Sequence, residues 1–212
     1  MIRILIVDDH PLVRRGVRQA LEESPDFKVT AEAEDGVTAL RQLETQAFDA
    51  VILDLTMPGM SGLETLEEIR ARHPNLPVLI LSMHAEEQYA LRAFKLGASG
   101  FLSKDATPDI MVGALQKIIG GGKFVTPTLA EKLVFSLKSG KTQKHENLSN
   151  REYQIMKMIA SGRTPKEISS DLSISVKTIS TYRTRVLKKL HFRTTAELVK
   201  YCVENQLLDG TP

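Results

Sequence analysis

The stretch Ile2-Arg3-Ile4-Leu5-Ile6-Val7-Asp8-Asp9 is a short, mostly branched apolar run that ends in two carboxylates. Branched residues favour β-strands, and an apolar run without regular polar alternation is typical of a strand that is covered on both faces. This stretch therefore predicts a buried strand. Similar short apolar runs recur at 29–33, 50–53, 78–81 and 100–102.

Amphipathic segments of helical length separate these apolar runs. Ser61 stands three residues before Glu64, which is the spacing of a capping box, and Pro108 suits the first turn of a helix. Strands that alternate with helices indicate repeated βαβ units and a parallel sheet. We therefore predict an α/β domain over residues 1–122, with a doubly wound five-stranded parallel sheet. Its predicted helices cover residues 10–23, 36–46, 61–72, 86–96 and 108–120.

The rest of the chain has a different pattern. Residues 123–147 are interpreted as a linker: 123–137 can form a short helix, and 139–147 are polar with no apolar anchor, which predicts flexibility. Short helical segments joined by tight turns then predict a small all-α domain over 148–209 that contains a helix-turn-helix. Its four predicted helices cover residues 150–161, 165–172, 176–190 and 195–205.

The charge of the chain is divided between these two parts. Residues 1–122 contain 12 Lys and Arg against 18 Asp and Glu, whereas residues 123–212 contain 16 against 8. A basic half suggests a polyanionic partner. The single cysteine, Cys202, excludes an internal disulfide, and no apolar run is long enough for a membrane span. We therefore expect a cytoplasmic protein.

Polar residues follow the predicted strands. Asp8 and Asp9 end the first strand, Asp54 the third and Ser82 the fourth, while Lys104 follows the fifth. The carboxyl ends of parallel strands meet at one edge of a sheet, where ligands bind. Each residue alone also has a structural explanation, such as a helix start at Asp9 or a solvated charge at Lys104. Their joint occurrence at one predicted edge favours a functional site.

The residue types in this set suit phosphoryl transfer. Three crowded carboxylates repel one another and need a cation, and their hard oxygens suit Mg²⁺. Asp54 can attack a phosphorus atom, because carboxylates form acyl phosphates. Lys104 and Mg²⁺ would neutralise charge on the transferred group, and the Ser82 hydroxyl would donate a hydrogen bond to a phosphoryl oxygen.

Three motifs of the first domain resemble those of receiver domains, which have a flavodoxin-like fold and belong to two-component response regulators. They are Val7-Asp8-Asp9-His10, Leu53-Asp54-Leu55-Thr56-Met57-Pro58-Gly59 and Gly97-Ala98-Ser99-Gly100-Phe101-Leu102-Ser103-Lys104. The resemblance implies that Asp54 accepts phosphate from a histidine kinase and that Ser82 and Lys104 assist. It also implies that Phe101 is a switch aromatic, although its position alone favours an ordinary core residue. The implied ligands of Mg²⁺ are Asp8, Asp9, Asp54 and the main-chain carbonyl of Thr56.

The predicted helix 176–190 has two distinct faces. Ile179, Tyr182, Val186 and Leu190 recur at helical spacing and should face the core. The opposite face is basic and rich in hydroxyls, which suits contact with a DNA major groove, although charged helix faces are often only solvated. The predicted DNA contacts are Lys177, Ser180, Thr181, Arg183, Thr184, Arg185 and Lys188.

The second domain resembles the LuxR-type output domain of the NarL/FixJ subfamily. The resemblance rests on Leu148-Ser149-Asn150-Arg151-Glu152 and Leu172-Ser173-Ile174-Ser175-Val176-Lys177-Thr178-Ile179, while Tyr182 stands where many relatives have His. It implies that the third helix reads double-stranded DNA and that the last helix often forms a homodimer. Together with the receiver motifs, it predicts a transcriptional response regulator.

Two alternatives remain open at this stage. One is an Mg²⁺-dependent phosphohydrolase, but Thr56 stands two residues after Asp54, where such an enzyme needs a second Asp as its acid and base. We therefore expect no enzyme beyond slow self-catalysed gain and loss of phosphate at Asp54. The other alternative is a DNA-binding regulator or protein-binding adaptor that works without phosphorylation.

Overall fold

A computed structural model describes residues 1–83, 87–131, 134, 144–205, 207 and 208 of the chain. The chain forms two compact units, Met1–Ser139 and Gly140–Pro212. Within the described residues, none of the helices combines the length and the apolar character needed to span a bilayer.

The first unit is built on a five-stranded parallel sheet with the strand order β2-β1-β3-β4-β5. This confirms the predicted doubly wound fold. β2 begins two residues earlier than predicted, because the side chain of Phe27 is buried in the core. The strands are β1 (Ile2–Val7), β2 (Phe27–Ala33), β3 (Ala50–Asp54), β4 (Val78–Ser82) and β5 (Gly100–Ser103).

Five helices connect and cover these strands. The predicted capping box is formed at the start of the third: Ser61 Oγ accepts from the main-chain N–H of Glu64, and the Glu64 carboxylate accepts from that of Ser61. Proline occupies the first turn of the first and the fifth helix. The helices are α1 (Pro11–Glu22), α2 (Gly36–Thr45), α3 (Gly62–Arg72), α4 (Glu87–Lys95) and α5 (Pro108–Ile119).

Two apolar clusters form the core of the first unit among the residues that the structure describes. Alternate residues of a strand point to opposite faces, so Leu5 and Val7 of β1 join one cluster while Ile4 and Ile6 join the other. Both faces of the sheet are therefore covered, which explains why the strands have little polar alternation.

The segment after α5 differs from the predicted helix over 123–137. Phe124 forms a parallel bridge with Gly100, and the Phe101 N–H donates to the Phe124 carbonyl at 3.0 Å. Helical structure begins only at residue 127, because residues 123–126 lie beside β5 instead. Leu129 is buried in a core cluster, whereas Leu133 and Leu137 lie outside the described residues.

The second unit contains the four predicted α-helices, which confirms its all-α class. A core cluster joins Ile155, Ile168, Leu172 and Ile179. Ser173 ends the second helix in the left-handed conformation, with φ +52°, and so makes the tight turn of the helix-turn-helix. The helices are α6 (Asn150–Ala160), α7 (Pro165–Leu172), α8 (Val176–Leu190) and α9 (Thr195–Glu204).

The prediction that residues 139–147 are a flexible linker was wrong for its last four residues. Lys144–Asn147 forms a 3-10 helix in which His145 is fully buried. His145 Nδ1 lies 3.0 Å from Tyr201 Oη, and the imidazole packs near Tyr153. The buried imidazole of His145 anchors this segment. Because histidine is not an apolar residue, the sequence pattern gave no sign of this anchor. Residues 139–143 lie outside the described residues.

Gly62 allows the start of α3 to approach the end of β3. A Cβ at this position would lie 1.9 Å from the main-chain oxygen of Asp54 and 2.6 Å from Leu55 Cα. Both are backbone atoms, so relieving the clash requires a shift of the main chain. We expect Gly62→Ala to lower the free energy of unfolding by at least about 2 kcal/mol, measured by urea denaturation.

The matched control for this prediction is Gly16→Ala in α1, because nothing lies within 4 Å of the added Cβ. A helical glycine in open space is expected to gain about 0.5–1 kcal/mol when it becomes alanine. Equal stability changes in the two variants would contradict the steric explanation.

Candidate functional site

Three carboxylates meet at the carboxyl edge of the sheet. Asp8 and Asp9 follow β1, and Asp54 is the last residue of β3, the neighbour of β1. Asp8 and Asp54 are buried, whereas Asp9 is partly exposed. Ligand atoms from these three residues and from His10 all lie within 4.8 Å of one another. We call this group of four the acidic rim.

Lys104 bridges two of these carboxylates. Its Nζ lies 2.7 Å from Asp8 Oδ2 and 2.8 Å from Asp54 Oδ2, and its side chain is only 4% exposed. The Lys104 N–H donates to the Ser82 carbonyl at 2.8 Å, which continues the pairing of β4 with β5 beyond the strand ends. The sheet backbone therefore directs the ammonium group towards the acidic rim.

The electrostatics of Asp54 are those of a buried and partly compensated carboxylate. Burial raises the pKa of Asp54 to about 6, and the charge of Asp8 adds to the increase, while Lys104 opposes it. Burial also lowers the pKa of Lys104, but the two carboxylates outweigh that effect and raise it above its usual value. The ammonium group thus stays charged and offsets only part of the negative charge.

Several carboxylate oxygens of the rim are suited to a cation. Asp8 Oδ2, Asp9 Oδ1 and Asp54 Oδ2 are buried and accept no hydrogen bond from the described residues. The ammonium group of Lys104 lies against two of these oxygens and the imidazole of His10 against the third, and these groups offset only part of the negative charge. Buried charged oxygens without hydrogen bonds are costly. Since Mg²⁺ binds hard oxygen ligands, this donor set fits that ion.

The other residues predicted for this site lie around the same edge. Ser82 is buried at the end of β4, one position beyond Leu81, which pairs with Asp54. The Thr56 side chain is exposed in the loop after β3. Phe101 is fully buried in a core cluster, and its role as a switch stays a prediction.

The sequence analysis included His10 in the first receiver motif but assigned it no role. In the structure, His10 Nδ1 lies 2.8 Å from Asp9 Oδ1 and 3.3 Å from Asp8 Oδ1. Its main-chain N–H also donates to Asp8 Oδ1 at 2.8 Å. The position of His10 directly after Asp8 and Asp9 was the sequence feature that could have predicted these contacts.

The outer face of α8 in the second unit is exposed. Ser180, Thr181 and Thr184 donate their hydroxyls to main-chain carbonyls four residues earlier, so their oxygens remain as acceptors towards solvent. Arg183 instead donates to Thr195 Oγ1 at 2.9 and 2.7 Å, which links α8 to the start of α9. All seven predicted contacts are exposed: Lys177, Ser180, Thr181, Arg183, Thr184, Arg185 and Lys188.

An ion pair that sequence reasoning missed holds α8 against α6. Lys189 Nζ lies 2.6 Å from the buried carboxylate of Glu152, which also accepts from the Ser149 N–H at 2.7 Å. Burial disfavours the charge of Glu152, but these hydrogen bonds outweigh it and hold the pKa of Glu152 below its usual value. The pair therefore helps to position α8 against α6.

Family comparisons agree with this fold and these sites. The model of the response regulator receiver domain matches residues 4–116, and that of the luxR family of bacterial regulatory proteins matches residues 146–202. The chain therefore belongs to the response regulators that join a receiver domain to a LuxR-type DNA-binding domain. The members of this family are transcription regulators of two-component systems.

Particular relatives resemble the chain over nearly its whole length. Response regulator UvrY of Escherichia coli is 36% identical over 212 residues, which cover 99% of this chain and 97% of UvrY. Response regulator GacA of Pseudomonas aeruginosa is 33% identical over 214 residues, with 99% of each chain covered. Among solved structures, Salmonella enterica RcsB bound to a promoter has a TM-score of 0.65 and 25% identity, covering 96% of this chain and 98% of RcsB.

Proposed function

We propose that Asp54 accepts a phosphoryl group from a histidine kinase and that the phosphorylated protein binds double-stranded DNA as a homodimer through α8. The observation that carries the proposal is the buried pair of Asp54 and Lys104, 2.8 Å apart, at the edge of the sheet beside two further carboxylates. A cation beside a buried nucleophile suits transfer of an anionic group.

The residues of the chain have defined tasks in this transfer. A carboxylate oxygen of Asp54 attacks the phosphorus atom, a new O–P bond forms, and the bond to the donor breaks with its electron pair leaving on the donor. Lys104 then exchanges its contact with Asp54 for a phosphoryl oxygen, and Ser82 donates its hydroxyl to another. Asp8, Asp9, Asp54 and the Thr56 carbonyl would hold Mg²⁺, which supplies further neutralisation of charge.

The acyl phosphate on Asp54 should be hydrolysed only slowly. Rapid hydrolysis needs an acid and base beside the phosphoryl group, and the side chain two residues after Asp54 is the exposed hydroxyl of Thr56. A phosphate that persists adds about −1.5 to −2 charge and three acceptor oxygens, so the protein gains a lasting signal.

The DNA-binding part of the proposal rests on the exposed face of α8. Lys177, Arg185 and Lys188 supply charge for phosphate contacts, and the hydroxyls of Ser180, Thr181 and Thr184 supply acceptors for base edges. Arg183 serves DNA only if it leaves Thr195, so we assign it a weaker part. RcsB, which is similar to this chain, has been solved in complex with DNA.

The test is Mg²⁺-dependent labelling of the full chain. The wild-type protein is incubated with a small phosphodonor and Mg²⁺, the acyl phosphate is reduced with borohydride, and the modified residue is located by mass spectrometry. We expect modification at position 54, loss of labelling with a chelator, and tighter binding to duplex DNA after labelling.

Two other results would contradict the proposal. Modification at Asp8 or Asp9 instead of position 54 would reject the assigned acceptor. Full labelling with unchanged dimerisation and DNA affinity would favour a regulator that works independently of phosphate.

A further inference from the structure

The imidazole of His10 is a fourth possible ligand on the acidic rim. Its Nδ1 contacts carboxylate oxygens of Asp9 and Asp8 at 2.8 and 3.3 Å, and it belongs to the set of ligand atoms that lie within 4.8 Å of one another. Atoms that ligate one ion lie about 2.0–2.2 Å from it and hence up to about 4.4 Å apart, so only small movements separate this arrangement from a coordination shell.

Lys104, which lies outside the acidic rim, and His10, which belongs to it, contact different carboxylate oxygens. The Lys104 ammonium lies against Oδ2 of Asp8 and of Asp54, whereas the His10 imidazole lies against Oδ1 of Asp8 and of Asp9. An ammonium group has no lone pair and cannot bind a metal, but a neutral imidazole can. The His10 side chain is 61% exposed, so it can exchange a carboxylate contact for an ion without repacking the core.

We propose that His10 makes the acidic rim a mixed nitrogen and oxygen site that selects transition-metal dications, such as Co²⁺, Ni²⁺ and Zn²⁺, over Mg²⁺. Carboxylates alone suit Mg²⁺, whereas an imidazole beside them suits transition metals. The inference shares its ion site with the proposed function but concerns a different residue and a different class of ion.

Two classes of ion then share the same carboxylates. A transition-metal ion held by His10 would occupy oxygens of Asp8 and Asp9, the carboxylates that the imidazole contacts and that are proposed to hold Mg²⁺. Such an ion therefore competes with Mg²⁺ for the site.

The test measures metal selectivity directly. Untagged full-chain wild type and His10→Ala are titrated separately with Co²⁺ and with Mg²⁺ by calorimetry, and the visible spectrum of bound Co²⁺ is recorded. We expect the ratio of Co²⁺ affinity to Mg²⁺ affinity to fall by roughly ten-fold or more in His10→Ala, because loss of even an outer-shell partner often costs that much. The Co²⁺ spectrum should lose its nitrogen-ligand component.

His73→Ala is the matched control, since His73 lies at the end of α3, the end away from Ser61 and the carboxyl edge of β3. It should keep the wild-type ratio. An unchanged ratio in His10→Ala, or an equal loss of affinity for both ions, would overturn the proposal. His10→Asn, which keeps a polar side chain on the rim, should lose selectivity as His10→Ala does.

Failure here is distinguishable from failure of the proposed function. A wild-type protein that is labelled on Asp54 with Mg²⁺ but shows no dependence of selectivity on His10 refutes only the role of His10. A protein that selects Co²⁺ through His10 but takes no label refutes the assigned phosphoacceptor and leaves the metal inference standing.

Discussion

The Asp54→Asn variant is expected to take no phosphoryl label at position 54 and, without divalent ions, to be more stable than the wild-type protein at pH 8. An amide cannot form the acyl phosphate. It also has no charge to bury, whereas the wild-type carboxyl has its pKa raised to about 6 from 3.8. Since each pKa unit corresponds to about 1.4 kcal/mol, we expect a gain on the order of 3 kcal/mol in the free energy of unfolding.

The gain should depend on pH in a defined direction. A raised pKa means that the folded protein binds more protons than the unfolded chain between about pH 4 and pH 6. The wild-type protein therefore loses stability as the pH rises through this window, and the penalty is complete above it. Well below pH 3.8, Asp54 is neutral in both states, so the difference in stability between the two proteins should be small by pH 4 and vanish below it. Urea denaturation at pH 4 and pH 8 measures both.

Asp49→Asn is the matched control, and its expected change in the free energy of unfolding has the opposite sign. The main-chain N–H and the guanidinium of Arg3 donate hydrogen bonds to the Asp49 carboxylate and hold its pKa below the usual value. Asp49 therefore contributes stability above pH 4 that is lost as the pH falls, and its substitution should cost stability at pH 8 while labelling persists. If Asp54→Asn were less stable than wild type at pH 8, the argument from burial would be wrong.

The second large effect is expected on DNA binding. Lys177 and Lys188 lie on the exposed face of α8. If each neutralises one DNA phosphate, its substitution by Ala removes a counterion-release contribution, which weakens binding roughly ten-fold at 0.1 M salt. The double variant should therefore lose about 100-fold in affinity for duplex DNA. The slope of the logarithm of the binding constant against the logarithm of salt concentration should become less negative by about 2, which corresponds to two phosphate contacts.

Lys28→Ala is the control for this prediction, because it removes the same charge from an exposed position on β2 of the receiver domain. It should leave DNA affinity and salt dependence nearly unchanged. Fluorescence anisotropy with a labelled duplex, measured between about 50 and 200 mM salt, gives both quantities. A loss of the same size in Lys28→Ala would mean that net charge, and not the α8 face, controls binding.

Local patterns predicted most of the fold because they report local physics. The apolar runs and the capping box at Ser61 depend on neighbours within one strand or one turn, and the structure agrees with both. Errors occurred where a distant contact replaced a local preference. Phe124 pairs with β5 instead of starting a helix, and His145 packs against Tyr201 instead of staying in a mobile linker.

The acidic rim shows the same division. By itself the sequence determined that Asp8, Asp9 and Asp54 end strands, and parallel strands must end at one edge. Only the tertiary structure decided how those side chains meet: that Lys104 bridges Asp8 and Asp54, and that His10 contacts Asp9. The positions of the strands follow from short-range patterns. The order of the strands and the partners of each side chain depend on burial and on loop geometry, which arise only when the sheet forms.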